Sequence, residues 1–126
     1  MAKRIAVVQG NNEEREDLCA ELREHLFQVA SFPSLADFEQ GERNFAVVIF
    51  DLNSLPVTNQ LLQEYSKTMP GLYMIAVSSR TFHPELREAM TTCLTACLTK
   101  PVDLNELVYL LKGILMENSR SNCSNV

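Results

Sequence analysis

Tryptophan is missing from this 126-residue chain, and no uninterrupted apolar stretch approaches the ~18–20 residues that a bilayer-spanning helix needs. The second absence excludes a membrane helix. The first removes the usual fluorescence reporter, so titrations must follow tyrosine or NMR signals. Clusters of positive charge are missing too: Lys and Arg are scattered along a chain of net charge −5. That pattern argues against the phosphate-backbone footprint of a nucleic-acid binder, so any DNA contact would come through a partner. The start, Met1-Ala2-Lys3-Arg4, runs into a strand-like segment without an apolar h-region or a small-residue cleavage site. No signal peptide is expected, and the expected location is the cytoplasm.

Cysteine is present but sparsely used. Cys19, Cys93, Cys97 and Cys123 have neither the paired spacing of a zinc site nor the density of a disulfide scaffold. The first three are expected as small buried hydrophobes and the last as a free thiol on the tail. His25 and His83 lie at no ligand-like spacing from them and are expected on the surface.

What is present is the composition of an ordinary globular domain, 46% apolar. A chain of this length buries roughly 65–70% of its unfolded surface around one core, so one domain is expected. Short apolar runs alternate with longer segments of helical period, the sequence form of a parallel sheet covered on both faces. The expected strands are Arg4 to Val8, Phe27 to Ala30, Phe45 to Asp51, Leu72 to Val77 and Leu94 to Leu98. The first helix is expected from Asn12 to Leu26, capped by Asn11 or Asn12, with Leu18, Leu22 and Leu26 as its buried stripe. A short second helix, Ser34 to Gln40, ends at Gly41. The third runs from Thr58 to Tyr65 and turns inward Leu61, Leu62 and Tyr65, and the fourth opens at Pro84 and continues to Thr92 with Leu86, Ala89 and Met90 inward. The last begins at a cap formed by Asp103 and Glu106, and its Leu104, Leu107, Val108, Leu111 and Leu115 repeat with helical period. Residues 1–117 make the domain, and the aperiodic Asn118 to Val126 reads as a polar tail or the start of a linker.

The polar residues that end the apolar runs carry the chemistry. Asp51 closes Phe45-Ala46-Val47-Val48-Ile49-Phe50, Ser78 follows Met74-Ile75-Ala76-Val77, and Lys100 follows Ala96-Cys97-Leu98-Thr99. In an open parallel sheet, ligands bind outside the carboxyl ends of the strands where strand order reverses. With the order 2-1-3-4-5, a doubly wound α/β sheet brings Gln9, Gly10 and Asp51 together and Ser78 and Lys100 in from the side. A carboxylate, a hydroxyl and an ammonium are the parts of a phosphoryl-transfer pocket, in which cations must neutralise the transferred group. The first strand ends instead in uncharged Gln9-Gly10.

Three segments resemble the receiver domains of two-component response regulators, including the single-domain chemotaxis regulators. They are Val47-Val48-Ile49-Phe50-Asp51-Leu52, Ile75-Ala76-Val77-Ser78-Ser79 and Cys97-Leu98-Thr99-Lys100-Pro101-Val102-Asp103-Leu104-Asn105-Glu106-Leu107. The resemblance runs from Lys3 to Glu117 and implies the flavodoxin-like (βα)5 fold. It implies that Asp51 accepts a phosphoryl group from a histidine kinase or phosphotransfer protein, that Ser78 contacts the phosphate and that Lys100 pairs with it. It implies a Mg2+ ion held by Asp51, by the backbone carbonyl of Asn53 and by an acidic pair whose positions Gln9 and Gly10 occupy here. With that pair gone, metal binding is expected to be weak in the absence of a phosphodonor. Glu13 and Glu14 approach the place but are expected to face solvent as first-turn acids. Cys97 stands at the family's aromatic switch position, the loop before Pro56 is one residue longer than the common pattern, and Asn59-Gln60 replaces a frequent Asp-Gly.

Ser78 and Ser79 have a simpler use as caps of the turn that follows them. Arg87, Tyr109 and Lys112 are candidates for a protein-binding face on the fourth helix, fifth strand and last helix, for a downstream partner or a second copy. Three functions fit: a phosphorylatable receiver, a pseudo-receiver acting as a binding or dimerisation module without phosphorylation, and, from another class, a flavodoxin-like enzyme or flavin carrier. The first strand lacks the Ser/Thr-rich phosphate loop of a flavin site, which ranks the third last. The expected function is a receiver-like signalling domain, not an enzyme, in an atypical form that depends weakly on Mg2+ or not at all on phosphorylation.

Overall fold

A computed structural model describes residues 4–41, 44–81 and 83–120, the last four of these by backbone only. Cys123 and most of the expected tail lie outside the described residues. Five strands, β1 (Arg4–Val8), β2 (Gln28–Phe32), β3 (Phe45–Asp51), β4 (Tyr73–Ser78) and β5 (Leu94–Thr99), form one parallel sheet in the order β2-β1-β3-β4-β5. That is the expected order. It places the ends of β1 and β3 side by side, with Val8 opposite Phe50 in the ladder.

Helices cover both faces: α1 (Asn12–Glu24), α2 (Leu35–Gln40), α3 (Asn59–Thr68), α4 (Arg87–Thr92, preceded by a 3₁₀ turn, Pro84–Leu86) and α5 (Leu104–Arg120). Because strand side chains alternate, one sequence run feeds two cores. Ile5, Val7, Val47, Ile49 and Ile75 meet Cys19 and Leu22 of α1 and Leu107, Leu111 and Ile114 of α5. Ala6, Val8, Val48, Phe50 and Met74 meet Phe38 of α2, Leu62 and Tyr65 of α3 and Ala89 of α4. In the second layer Phe38 packs edge-on against Phe32, Phe50 and Tyr65, with ring centroids 5.7–6.2 Å apart. Asp51 continues the alternation of Val47 and Ile49, which turns its carboxylate towards the side of α1.

The local starts follow the chemistry of the caps. The side chains of Asn11, Ser34 and Thr58 accept from the amides of Glu14, Asp37 and Leu61, each filling one of the first free donors of its helix. Asp103 does the same for Asn105 and Glu106. The last helix runs to Arg120, past Glu117, and Ile114 joins its buried stripe while Leu104 and Leu115 are only partly covered.

Several expectations are corrected. Leu26 is not in the stripe of α1: it is 90% exposed and left-handed, with φ 69°. The helix ends first, in a Schellman turn in which Phe27 N–H reaches the Leu22 carbonyl at 3.2 Å and Leu26 N–H the Arg23 carbonyl at 2.9 Å. Phe27 takes the inward place that the four-residue spacing assigned to Leu26. Cys19 is buried as expected, but Cys93, at the end of α4, is half-buried, and Cys97 is exposed because β5 is an edge strand in which only alternate residues turn to the core. His83 is buried rather than on the surface. Its Nδ1 lies 2.9 Å from the Arg80 guanidinium and its Nε2 3.1 Å from the Arg80 carbonyl, which ties the ring into the loop after β4.

A branched side chain in the left-handed region costs roughly 1–2 kcal/mol, and an exposed leucine returns little of it. Leu26→Gly is therefore expected to stabilise the chain by about 0.5–1 kcal/mol, or about 2–5 °C in Tm, once glycine's larger unfolded-state entropy is counted. Thermal unfolding by circular dichroism checks this, and a lower Tm would remove the strain argument.

Candidate functional site at the strand ends

Asp51, the last residue of β3, is only 4% exposed, so its charge must be met from within the protein. Lys100 provides the cation. Its Nζ is 3.0 Å from Asp51 Oδ1, and the same oxygen accepts the Asn53 N–H at 3.1 Å. The lysine reaches it because its own amide donates to the Ser78 carbonyl at 2.8 Å, which continues the β4–β5 ladder one step past the strands. The predicted meeting of residues 51 and 100 is thus present.

Lys100 serves two carboxylates. Nζ also lies 2.9 Å from Glu14 Oε1, in the first turn of α1. Glu14 was expected to face solvent, and half of its side chain does, but the carboxylate is turned inward by the ammonium and by the Gln9 side-chain amide at 3.1 Å. Burial by itself would push the Lys100 pKa down. The hydrogen bonds to Glu14 and Asp51 outweigh it and hold the ammonium above its ordinary 10.5. A folded value raised in this way makes the stabilisation complete below pH 10.5, and it is lost as pH rises through the higher folded value.

Gln9 and Gly10, where the resemblance implies an acidic pair, are built into the same network. Gln9 is buried, its Nε2 donates to Glu14, and its Oε1 accepts the Asn11 N–H at 3.1 Å and the Ser54 hydroxyl at 2.8 Å. Its backbone carbonyl accepts from Arg15 Nη1 at 2.7 Å. Gly10 N–H donates to Ser54 Oγ at 2.9 Å. Ser54 Oγ is also 3.0 Å from Asp51 Oδ2, so one hydroxyl proton is shared between Gln9 and Asp51. Sequence reasoning did not single out Ser54. The one available signal was the extra residue before Pro56, which lengthens the turn in which Ser54 N–H reaches back to the Asp51 carbonyl at 3.3 Å.

The remaining predicted residues are near but otherwise engaged. Ser78 is fully buried at the end of β4, and its hydroxyl accepts the Arg80 N–H at 3.0 Å, the turn-capping use. Asn53 is exposed and pairs with Ser79 in both directions at 2.9 Å, which ties the loop after β3 to the loop after β4. Cys97 stands on the exposed face of β5, and Tyr109, Lys112 and Arg87 are exposed as expected.

The residues present do not suit Mg2+. Among the described residues no three His, Cys, Asp or Glu side chains gather as a metal site, and no buried side-chain nitrogen or oxygen lacks a hydrogen-bond partner. A side chain at position 10 would begin with a Cβ 3.1 Å from Ser54 Cβ, a contact that Ser54 would have to relieve by a few tenths of an ångström. Mg2+ demands oxygen ligands at about 2.0–2.1 Å in octahedral array, and the second carboxylate oxygen of Asp51 already faces a hydroxyl.

Neither a protein-family model nor a curated protein matches the chain's sequence. Solved structures match its fold. A response regulator receiver domain protein (CheY-like) from Methanospirillum hungatei is similar with a TM-score of 0.83 and 20% identity, over 96% of this chain and 99% of that one. The BeF3-activated receiver domain of DrrB, a Thermotoga maritima protein, gives 0.78 and 23% over 92% and 99%. TrrA from Thermotoga maritima, in complex with Mg2+-BeF, gives 0.72 and 21% over 89% and 98%. At these identities the likeness is one of fold, and the fold of this chain is the five-stranded, flavodoxin-like fold of receiver domains. No helix among the described residues is long and apolar enough to cross a membrane.

Removing one partner of a buried ion pair leaves the other charge uncompensated. Lys100→Met is expected to cost about 2–3 kcal/mol, the lower end for such pairs because the lysine keeps some contact with water. Adding Asp51→Asn should return at least about 1 kcal/mol of that loss. Urea denaturation of both variants checks it, and strictly additive losses would show that the two side chains are not coupled.

Proposed function

We propose that this chain is a receiver-type signalling module that acts by binding a protein partner, without metal-dependent phosphoryl transfer to Asp51. The observation that carries this reading is the state of the Asp51 carboxylate. Lys100 and the Asn53 amide meet one oxygen and the Ser54 hydroxyl meets the other, with no acid at positions 9 and 10 to recruit a divalent cation. Phosphoryl transfer to a carboxylate brings negative charge onto negative charge, and one lysine shared with Glu14 is a poor substitute for a metal. On this reading the chain is not an enzyme, and its place of work is the cytoplasm.

The proposed output surface is the face of α4, β5 and α5. On its β5–α5 side a groove of about 630 Å³ is lined by Tyr73 of β4, Thr95 of β5 and Tyr109, Leu110, Lys112 and Ile114 of α5. Tyr109 is 82% exposed there and Met116 58%, large apolar surfaces that a downstream partner or a second copy of the chain would cover.

One observation favours the alternative, in which a histidine kinase or phosphotransfer protein phosphorylates Asp51 with Ser78 and Lys100 assisting: the 3.0 Å Asp51–Lys100 pair. The flavin-carrier reading has less support, because the amides of Gly10, Asn11 and Glu14, which would cradle a phosphate, donate instead to Ser54, Gln9 and Asn11.

Intact-mass measurement after incubation with a small acyl phosphate and Mg2+ separates the two, with a competent receiver domain as positive control. No adduct is expected on the wild-type chain. An adduct on wild type that Asp51→Asn abolishes would replace this reading with the phosphoacceptor one.

A further inference from the structure

We propose that Ser54 and Glu14 close the strand-end pocket from within: the Ser54 hydroxyl fills the space of a cation and its carboxylate, and Glu14 holds Lys100 as the resident counter-ion. The proposal deepens the functional reading above and relies on it for the location of the pocket. Neither residue is assigned a catalytic part. Both are positioning residues that act through Asp51 and Lys100.

Three contacts define the plug. Ser54 Oγ is 2.9 Å from Gly10 N, 2.8 Å from Gln9 Oε1 and 3.0 Å from Asp51 Oδ2, so it touches three of the four positions from which metal ligands would converge, the Asn53 carbonyl being the fourth. Its side chain would also crowd a side chain at position 10, since an added Cβ there would meet Ser54 Cβ at 3.1 Å and the hydroxyl at 3.3 Å, so that Ser54 would have to give way by a few tenths of an ångström. Gly10 and Ser54 are therefore sterically coupled, and changing the first alone presses a new side chain against the second. The latch is the ammonium of Lys100, 3.0 Å from Asp51 and 2.9 Å from Glu14. Gln9 completes the charge arrangement. Its amide donates to Glu14 where an acid would set a third carboxylate against the other two.

The test uses Mn2+ as the probe and the selective paramagnetic broadening of backbone NMR signals as readout, compared among wild type, Gly10→Asp, Ser54→Gly and Gly10→Asp/Ser54→Gly. The wild-type chain should show no selective broadening of the amides of Gly10, Leu52, Asn53 and Ser54. Gly10→Asp alone should lower Tm without gaining metal. The double variant should broaden these amides, with Mn2+ affinity higher than wild type by about ten-fold or more, and excess Mg2+ should reverse it. Selective broadening in wild type equal to that of the double variant would overturn the plug, as would a well-dispersed double variant that gains nothing.

The latch has its own readout, which holds even if no position-10 variant folds. In wild type the Lys100 ammonium should give a slowly exchanging 15N signal, lost in Glu14→Gln. A signal equally persistent in both would remove Glu14 from the proposal. Failure here is separable from failure of the functional reading. A wild-type chain that binds Mn2+ at these amides yet takes no phosphoryl group ends the closed pocket and leaves the function standing. A phosphoryl adduct on Asp51 in a chain that excludes Mn2+ does the reverse.

Discussion

An ionised carboxylate at the buried end of β3 sets the terms for everything around it. Moving such a group out of water costs several kcal/mol even after relaxation, and only a nearby cation with well-placed donors offsets it. Asp51 has one cation and up to three donors: the lysine ammonium, the Asn53 amide and the shared Ser54 hydroxyl. Each donor comes from a different structural decision. Lys100 arrives because β5 extends the parallel ladder beyond β4, the amide because the chain turns immediately after Asp51, and the hydroxyl because that turn is long enough for Ser54 to point back.

The neutrality of positions 9 and 10 then follows from charge counting. Asp51 and Glu14 bring two negative charges to the Lys100 ammonium, and the Arg15 guanidinium lies beside them on the Gln9 carbonyl, so the charges present are already met by the protein's own cations. A third carboxylate in this space, with no divalent ion to meet it, would add repulsion to a desolvated site. Glutamine keeps the shape of an acid while offering Nε2 as a donor to Glu14, and all of its polar atoms are used. The same loops are cross-tied by Asn53 and Ser79, so the edge of the sheet that would receive a phosphoryl group is a hydrogen-bonded surface, while exposed apolar area collects beside β5 and α5.

Much of the fold was legible because parallel strands buried on both faces must read as short apolar runs, and their polar last residues had to gather at one edge. The meeting of Asp51 and Lys100 came from that rule once the 2-1-3-4-5 order of a doubly wound sheet was adopted. What stayed hidden depended on where a helix stops or which way a loop residue turns. The four-residue spacing of Leu18, Leu22 and Leu26 carried the stripe past the point where the Schellman turn ends α1, and nothing in the spacing marks a leucine as left-handed. Glu14 looked like a first-turn acid facing water, which it partly is, until Lys100 from a strand 86 residues away supplied a reason to turn inward. Cys97 was expected as a small buried hydrophobe because the cysteines lack zinc or disulfide spacing, but an edge strand covers only alternate residues. Ser54 and His83 carried no periodic signal, since loop hydroxyls and loop imidazoles take their roles from partners distant in space.

The difference between a metal pocket and the present one comes down to the volume of a single side chain. A glycine at position 10 leaves room beside Asp51, and that room must be filled by solvent, by a cation or by the protein. Solvent would leave a buried carboxylate oxygen facing a mobile partner, and a cation would need acids that the first strand does not bring. Ser54 fills the space with an atom that both accepts from Gly10 and donates towards Asp51, the two-sided behaviour that a hydroxyl has and a carboxylate lacks. With that hydroxyl seated, a side chain at position 10 would press on Ser54, whose Cβ lies 3.1 Å from where a new Cβ would stand, and Lys100 is the cation that meets Asp51. On the closed-pocket proposal, the absence of charge in Gln9-Gly10 and the presence of Ser54 belong to one packing arrangement, in which the hydroxyl takes hydrogen bonds that an acid at position 10 would disturb.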